Sequence, residues 1–144
     1  MPPAAETFVL DTSALLCLKE NEAGASEVEA ILREHGKNGE VFISFMSVME
    51  LAYVLEQEQG ESAAHRGILQ LKQLPIQIVE SDEPLGLAAA RIKAGHKLSV
   101  ADAWIAAAAE RLGATLVHKD PEFEPLAKLI RLKTLPWKAG RGST

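Results

Sequence analysis

The chain alternates short apolar runs with longer segments whose apolar positions recur every three or four residues. Residues 7–10 ("TFVL"), 41–44 ("VFIS"), 76–79 ("IQIV") and 114–120 ("ATLVHKD") are bounded by polar or turn residues and rich in β-branched types. Each reads as a strand, with 129–132 ("LIRL") a weaker fifth.

The segments between them carry the helical period. Residues 26–35 place Val28, Ile31 and Leu32 on one face and stop before Gly36, the glycine terminator expected of a helix. Residues 45–58 form a strongly apolar helix closed by Gly60, residues 62–74 another broken by Pro75, and the segment from Ser81 a third with Pro84 in its first turn. Residues 98–113 are Ala-rich and end at Gly113, a further helix. The run "ALLCLKE" after Asp11 is a short helix or turn. Strands separated by helices of this length imply a mainly parallel sheet with helices on both faces, and ligands in such sheets sit beyond the carboxyl ends of the strands.

At 144 residues the chain fits one domain with one core. A content of 47% hydrophobic and 24% charged residues excludes disordered and fibrous classes. The single cysteine, Cys17, excludes an internal disulfide and a cysteine zinc motif, and points to a reducing, cytoplasmic setting. No run is long enough to span a membrane and the start lacks a secretory signal, so no membrane role is expected. The net charge is -5, yet all 20 acidic residues precede position 125 while Lys128, Arg131, Lys133, Lys138 and Arg141 follow it. That basic end suits either an anionic partner or a solvated tail.

Candidate chemistry lies in the carboxylates. Asp11 and Asp120 each follow an apolar strand, and Asp102 sits in a helix's first turn, three residues after Ser99. All three also have a capping explanation: Asp11 and Asp120 as N-caps, the latter with Pro121 behind it, and Asp102 as the third member of a capping box with Ser99. Glu50, inside the apolar "FMSVMELAYVL", has no such explanation unless it faces water. Carboxylates gathered at one sheet edge repel unless a cation joins them. A site of oxygen donors alone suits Mg²⁺, with Mn²⁺ the alternative, and metal-assisted phosphate chemistry. His35, His65, His96 and His118 are scattered at spacings that define no site and read as surface or loop hydrogen-bonding residues.

The ordered segments "FVLDTSALL", "SVMELAYVL" and "LSVADAWIAAAAERLGATLVHKDPEF" resemble the PIN-domain ribonucleases, in particular VapC-type toxins, over about residues 7–133. The resemblance implies a single PIN-like domain over 1–144 with a basic tail from about 134. Its fold would be an α/β three-layer α/β/α sandwich on a central, mainly parallel sheet of four to five strands. It implies that Asp11, Glu50, Asp102 and Asp120 form the catalytic, metal-binding quartet, with Asp11 and Asp102 as direct ligands. Ser13 is then a supporting or phosphate-contacting hydroxyl, and Thr12 and Ser99 are placed nearby with helix capping as their main work. His118 stands where many members of this family have Thr. The implied activity is Mg²⁺-dependent cleavage of RNA by a toxin that forms a homodimer and is held by a cognate antitoxin. Lys93, Lys97, Lys119 or the C-terminal basic group would hold phosphate. A catalytically weak regulator that binds RNA or a partner, or a DNA nuclease on the same fold, is the alternative.

Overall fold

The computed structural model describes residues 5–136. Five strands, β1 (Phe8–Leu10), β2 (Val41–Ser44), β3 (Gln77–Val79), β4 (Thr115–His118) and β5 (Arg131–Thr134), pair in parallel in the order β3-β2-β1-β4-β5. The central strands are sealed on both faces, as parallel sheets require: Phe8, Val9 and Leu10 are at most 5% exposed. Their side chains alternate between two separate cores.

One core joins Phe8, Leu10, Val41, Ile43 and Val117 to four helices, α1 (Thr12–Lys19), α2 (Ala25–His35), α3 (Phe45–Gln59) and α4 (Glu61–Lys72). The other joins Val9 and Leu116 to α5 (Glu83–Gly95), α6 (Val100–Leu112) and a 3-10 segment, Pro121–Leu126. The result is the expected three-layer α/β/α arrangement with its fifth strand present. In α6 the run Ala106, Ala107, Ala108 and Ala109 is at most 1% exposed; side chains this small let the helix lie close against the sheet.

The crossovers through α1–α4 carry the chain outward from β1 to β3 on one face. The crossover through α5 and α6 returns it to β4, on the other side of β1. The connections therefore diverge between β1 and β4, and at such a switch point the loops leave a crevice at the strands' carboxyl ends. The last strand runs past the expected start of the tail: Thr134 pairs with His118, and Leu135 is fully buried. Lys138 and Arg141 lie outside the described residues. No helix among the described residues is long and apolar enough to cross a membrane.

Candidate active site

Asp11 stands where β1 ends and α1 begins. Its Oδ2 accepts the backbone N–H of Ser13 at 3.0 Å and also the Ser13 hydroxyl, so it caps α1 as its local sequence allows. Capping uses only one of its oxygens. Oδ1 is buried and has no hydrogen-bond partner among the described residues.

Asp11 belongs to a convergence of carboxylates. One oxygen each from Asp11, Glu50 and Asp102 lie within 4.8 Å of one another, and the same holds for Asp102, Asp120 and Glu122. Asp102 is common to both groups. Ser99 caps α6 by accepting the Asp102 N–H at 3.1 Å, which fixes the first turn that carries the Asp102 carboxylate. Asp120 caps the 3-10 segment, its Oδ1 accepting the Glu122 N–H at 2.9 Å. Capping and clustering therefore coexist at these aspartates.

The hydroxyls form a supporting frame. Thr12 lies inside α1, one residue past its cap, and donates to Glu50 Oε1 at 2.6 Å. Its single proton thus committed, its oxygen accepts the Ser47 hydroxyl at 3.0 Å. Capping is not the work of Thr12, contrary to the sequence expectation; it ties α1 to α3 and orients Glu50. Ser13 Oγ accepts the Lys119 N–H at 2.9 Å and so joins the ends of β1 and β4.

The electrostatics fit a cation-binding cluster. Burial, opposed by the Ser13 bonds and aided by the charges of Glu50 and Asp120, raises the Asp11 pKa from 3.8 to about 6. Burial first, then the Asp11 charge and a hydrogen-bonding contact with Glu122, raises that of Asp102 to about 8. Desolvation and like charge disfavour the anionic forms; a divalent cation would reverse both effects. The donor set fits Mg²⁺ or Mn²⁺, being all oxygen and including Asp11, whose buried Oδ1 nothing among the described residues satisfies.

Two further expectations are corrected. His118 is fully buried on β4 rather than at the surface, and burial lowers its pKa. Lys119 does not offer its ammonium to the cluster: Nζ donates to the Ala23 carbonyl at 2.7 Å and pairs with Glu22 at 3.3 Å, anchoring the α1–α2 loop. Of the other basic residues, Lys133 pairs with Glu27 at 3.1 Å and Arg131 donates to the Gly113 carbonyl. Lys93 lines an apolar groove between α5 and α6 with Gly86 and Trp104.

Sequence reasoning missed Glu122 and Ser47. Each had a local signal: Glu122 follows Asp120 by two residues in the turn after a strand, and Ser47 precedes Glu50 by three on one helix face.

Comparison with known proteins agrees with this fold. No curated protein matches the chain. Among solved structures, a chain from VapBC2 of Rickettsia felis bound to a promoter DNA fragment is 18% identical with a TM-score of 0.70, covering 90% of this chain and 99% of its own. Mycobacterium tuberculosis VapC20, described as a sarcin–ricin-loop-cleaving toxin, is 16% identical with a TM-score of 0.68, covering 90% and 100%. A chain of FitAcB from Neisseria gonorrhoeae is 21% identical with a TM-score of 0.67, covering 88% and 97%. The PIN domain family model matches residues 8–129, a span that contains every carboxylate of the cluster, and the chain belongs to the PIN domain family.

Proposed function

We propose that this chain forms one PIN-like domain and is a Mg²⁺- or Mn²⁺-dependent endoribonuclease, the toxin of a toxin–antitoxin pair. The observation that carries the reading is the convergence of Asp11, Glu50 and Asp102 at the switch point of a parallel sheet, with Asp11 Oδ1 buried and without a hydrogen-bond partner among the described residues. Asp11 and Asp102, both at most 6% exposed, would hold the cation directly. Glu50, steered by Thr12, and Asp120 would complete its surroundings.

A cation there supplies Lewis acidity, polarising the scissile phosphate and lowering the pKa of water. The chain's own contribution is to fix geometry. Ser13 holds one oxygen of Asp11 and the other has no hydrogen-bond partner among the described residues, and Thr12 holds Glu50 to α1. A carboxylate that remains ionised would accept the proton of the water that attacks phosphorus as the P–O bond to the leaving oxygen breaks, and that oxygen then takes up a proton; the strand ends keep these groups in register.

The antitoxin partner rests on the relatives, several of which are described as toxin–antitoxin or VapBC complexes. A homodimer is supported by apolar surface on α3, where Met49 is 53% and Tyr53 46% exposed, more than a one-sided surface helix leaves in water. This reading places the protein in the cytoplasm, where RNA and the reduced state of Cys17 are both expected.

The test is cleavage of labelled RNAs, with matched DNA strands, in Mg²⁺ or Mn²⁺ and in chelator, for wild type beside Asp11→Asn. Metal-dependent RNA cutting lost in the variant is the expected result. Cutting of DNA alone overturns the substrate assignment, and RNA binding without any cutting favours a regulator.

A further inference from the structure

His118 is fully buried, yet both of its ring nitrogens have partners. The Asp120 N–H donates to Nδ1 at 3.1 Å. On the far side, Nε2 lies 3.2 Å from Thr134 Oγ1, whose proton is donated to Glu124 Oε1 at 2.9 Å. Because that hydroxyl has a single proton, its oxygen accepts from Nε2–H. Both ends therefore require the same neutral tautomer, with the proton on Nε2 and a lone pair on Nδ1.

The consequence falls on Asp120. Its backbone N–H is held by His118, its carbonyl accepts the Phe123 N–H at 3.3 Å, and its Oδ1 accepts the Glu122 N–H. With three atoms tied, the peptide and side-chain torsions of Asp120 are set, and one of its carboxylate oxygens lies within 4.8 Å of an oxygen each of Asp102 and Glu122. The ring is itself fixed by the edge of Phe123, with centroids 5.3 Å apart, and by β5 through Thr134. A serine or threonine here could accept the same N–H only through a short hydroxyl, with no second hand on β5.

We propose that His118 is a positioning residue: its Nδ1 aims Asp120, and through it Glu122, at a cation position that shares Asp102 with the Asp11–Glu50 group. The proposal rests on the cation-dependent reading above and assigns His118 no contact with substrate. Supporting groups of this kind typically change metal affinity about 10–100-fold when removed.

The experiment titrates Mn²⁺ into wild type, His118→Asn, His118→Gln and His118→Leu, reading bound metal by electron paramagnetic resonance, with urea denaturation of each. Asn puts an acceptor where Nδ1 lies, whereas Gln reaches only toward the Nε2 position. His118→Asn is therefore expected to stay within about threefold of wild type for its weakest-bound Mn²⁺, while His118→Gln and His118→Leu lose about tenfold or more. Should Leu fail to fold, the Asn–Gln contrast between two polar variants decides the matter. Equal affinity in Asn and Gln, or a Leu variant matching wild type, overturns the positioning role. A wild type that binds no Mn²⁺ overturns the metal reading itself, and is distinguishable because no variant is needed to see it.

Discussion

Replacing Asp11 by Asn separates what this carboxylate costs the fold from what it offers a cation. In the metal-free protein the Asp11 pKa rises from 3.8 to about 6, mainly through burial. Below about pH 4 the group is protonated in folded and unfolded chains alike and costs nothing. As pH rises from there to about 6, the unfolded chain releases its proton first, so stability falls. Above about pH 6 the full penalty is present, roughly 3 kcal/mol at 1.36 kcal/mol per unit. Asn removes it: its Oδ1 accepts the Ser13 N–H, and its amide meets Glu50 and Asp102, both acceptors. In chelator at about pH 8, Asp11→Asn is expected to be more stable than wild type by about 2–3 kcal/mol in urea denaturation, or roughly 10 °C in Tm. At about pH 4 the difference should vanish. With Mn²⁺ at a hundred times Kd wild type gains about 2.7 kcal/mol and the gap closes, and at a thousand times Kd it gains about 4.1 kcal/mol and the order reverses, because the variant gains little. The reasoning fails if the variant is no more stable than wild type in chelator at the higher pH, or if it keeps the full metal-induced gain.

Thr12→Val should lower stability by about 1–2 kcal/mol in denaturant titration, since it leaves the buried Ser47 hydroxyl without its acceptor. The same change frees Glu50 and should weaken Mn²⁺ binding about tenfold by calorimetry. Lys119→Met strips the α1–α2 loop of a nearly buried cation that bonds Ala23 and pairs with Glu22. It should cost about 2–4 kcal/mol in stability while leaving RNA affinity within about threefold in filter binding at matched salt, because the ammonium is committed to Ala23 and Glu22. Gly67→Ala places a Cβ 2.3 Å from Leu55 Cδ1 and should cost about 1–3 kcal/mol in thermal denaturation, with Mn²⁺ affinity unchanged.

The elements themselves were legible because they are written in local periodicity. β2 spans the residues that the run "VFIS" indicates, α3 ends at Gly60, and Pro84 lies in the first turn of α5. Three carboxylates were visible for a related reason: Asp11 and Asp120, each after an apolar strand, and Glu50, inside an apolar helix, break local patterns, whereas Asp102 sits in a helix's first turn as a capping box allows. What those patterns could not reveal is which strands are neighbours. That β1 lies between β2 and β4, bringing residues 11 and 120 to one crevice, follows from long-range burial of both sheet faces.

Side-chain direction was decided in the same way. Lys119 and His118 are adjacent in a strand-end segment, so the chain turns them apart: the ammonium goes to the α1–α2 loop and the imidazole into the core. Glu122 enters the cluster because the 3-10 segment capped by Asp120 curls back toward α6. Sequence alone thus determined the elements and the chemical type of the site, since both depend on residues close in the chain. Tertiary structure alone decided the meeting of Asp11, Glu50, Asp102, Asp120 and Glu122, because only packing across the sheet sets the distances and desolvation on which a cation-binding site depends.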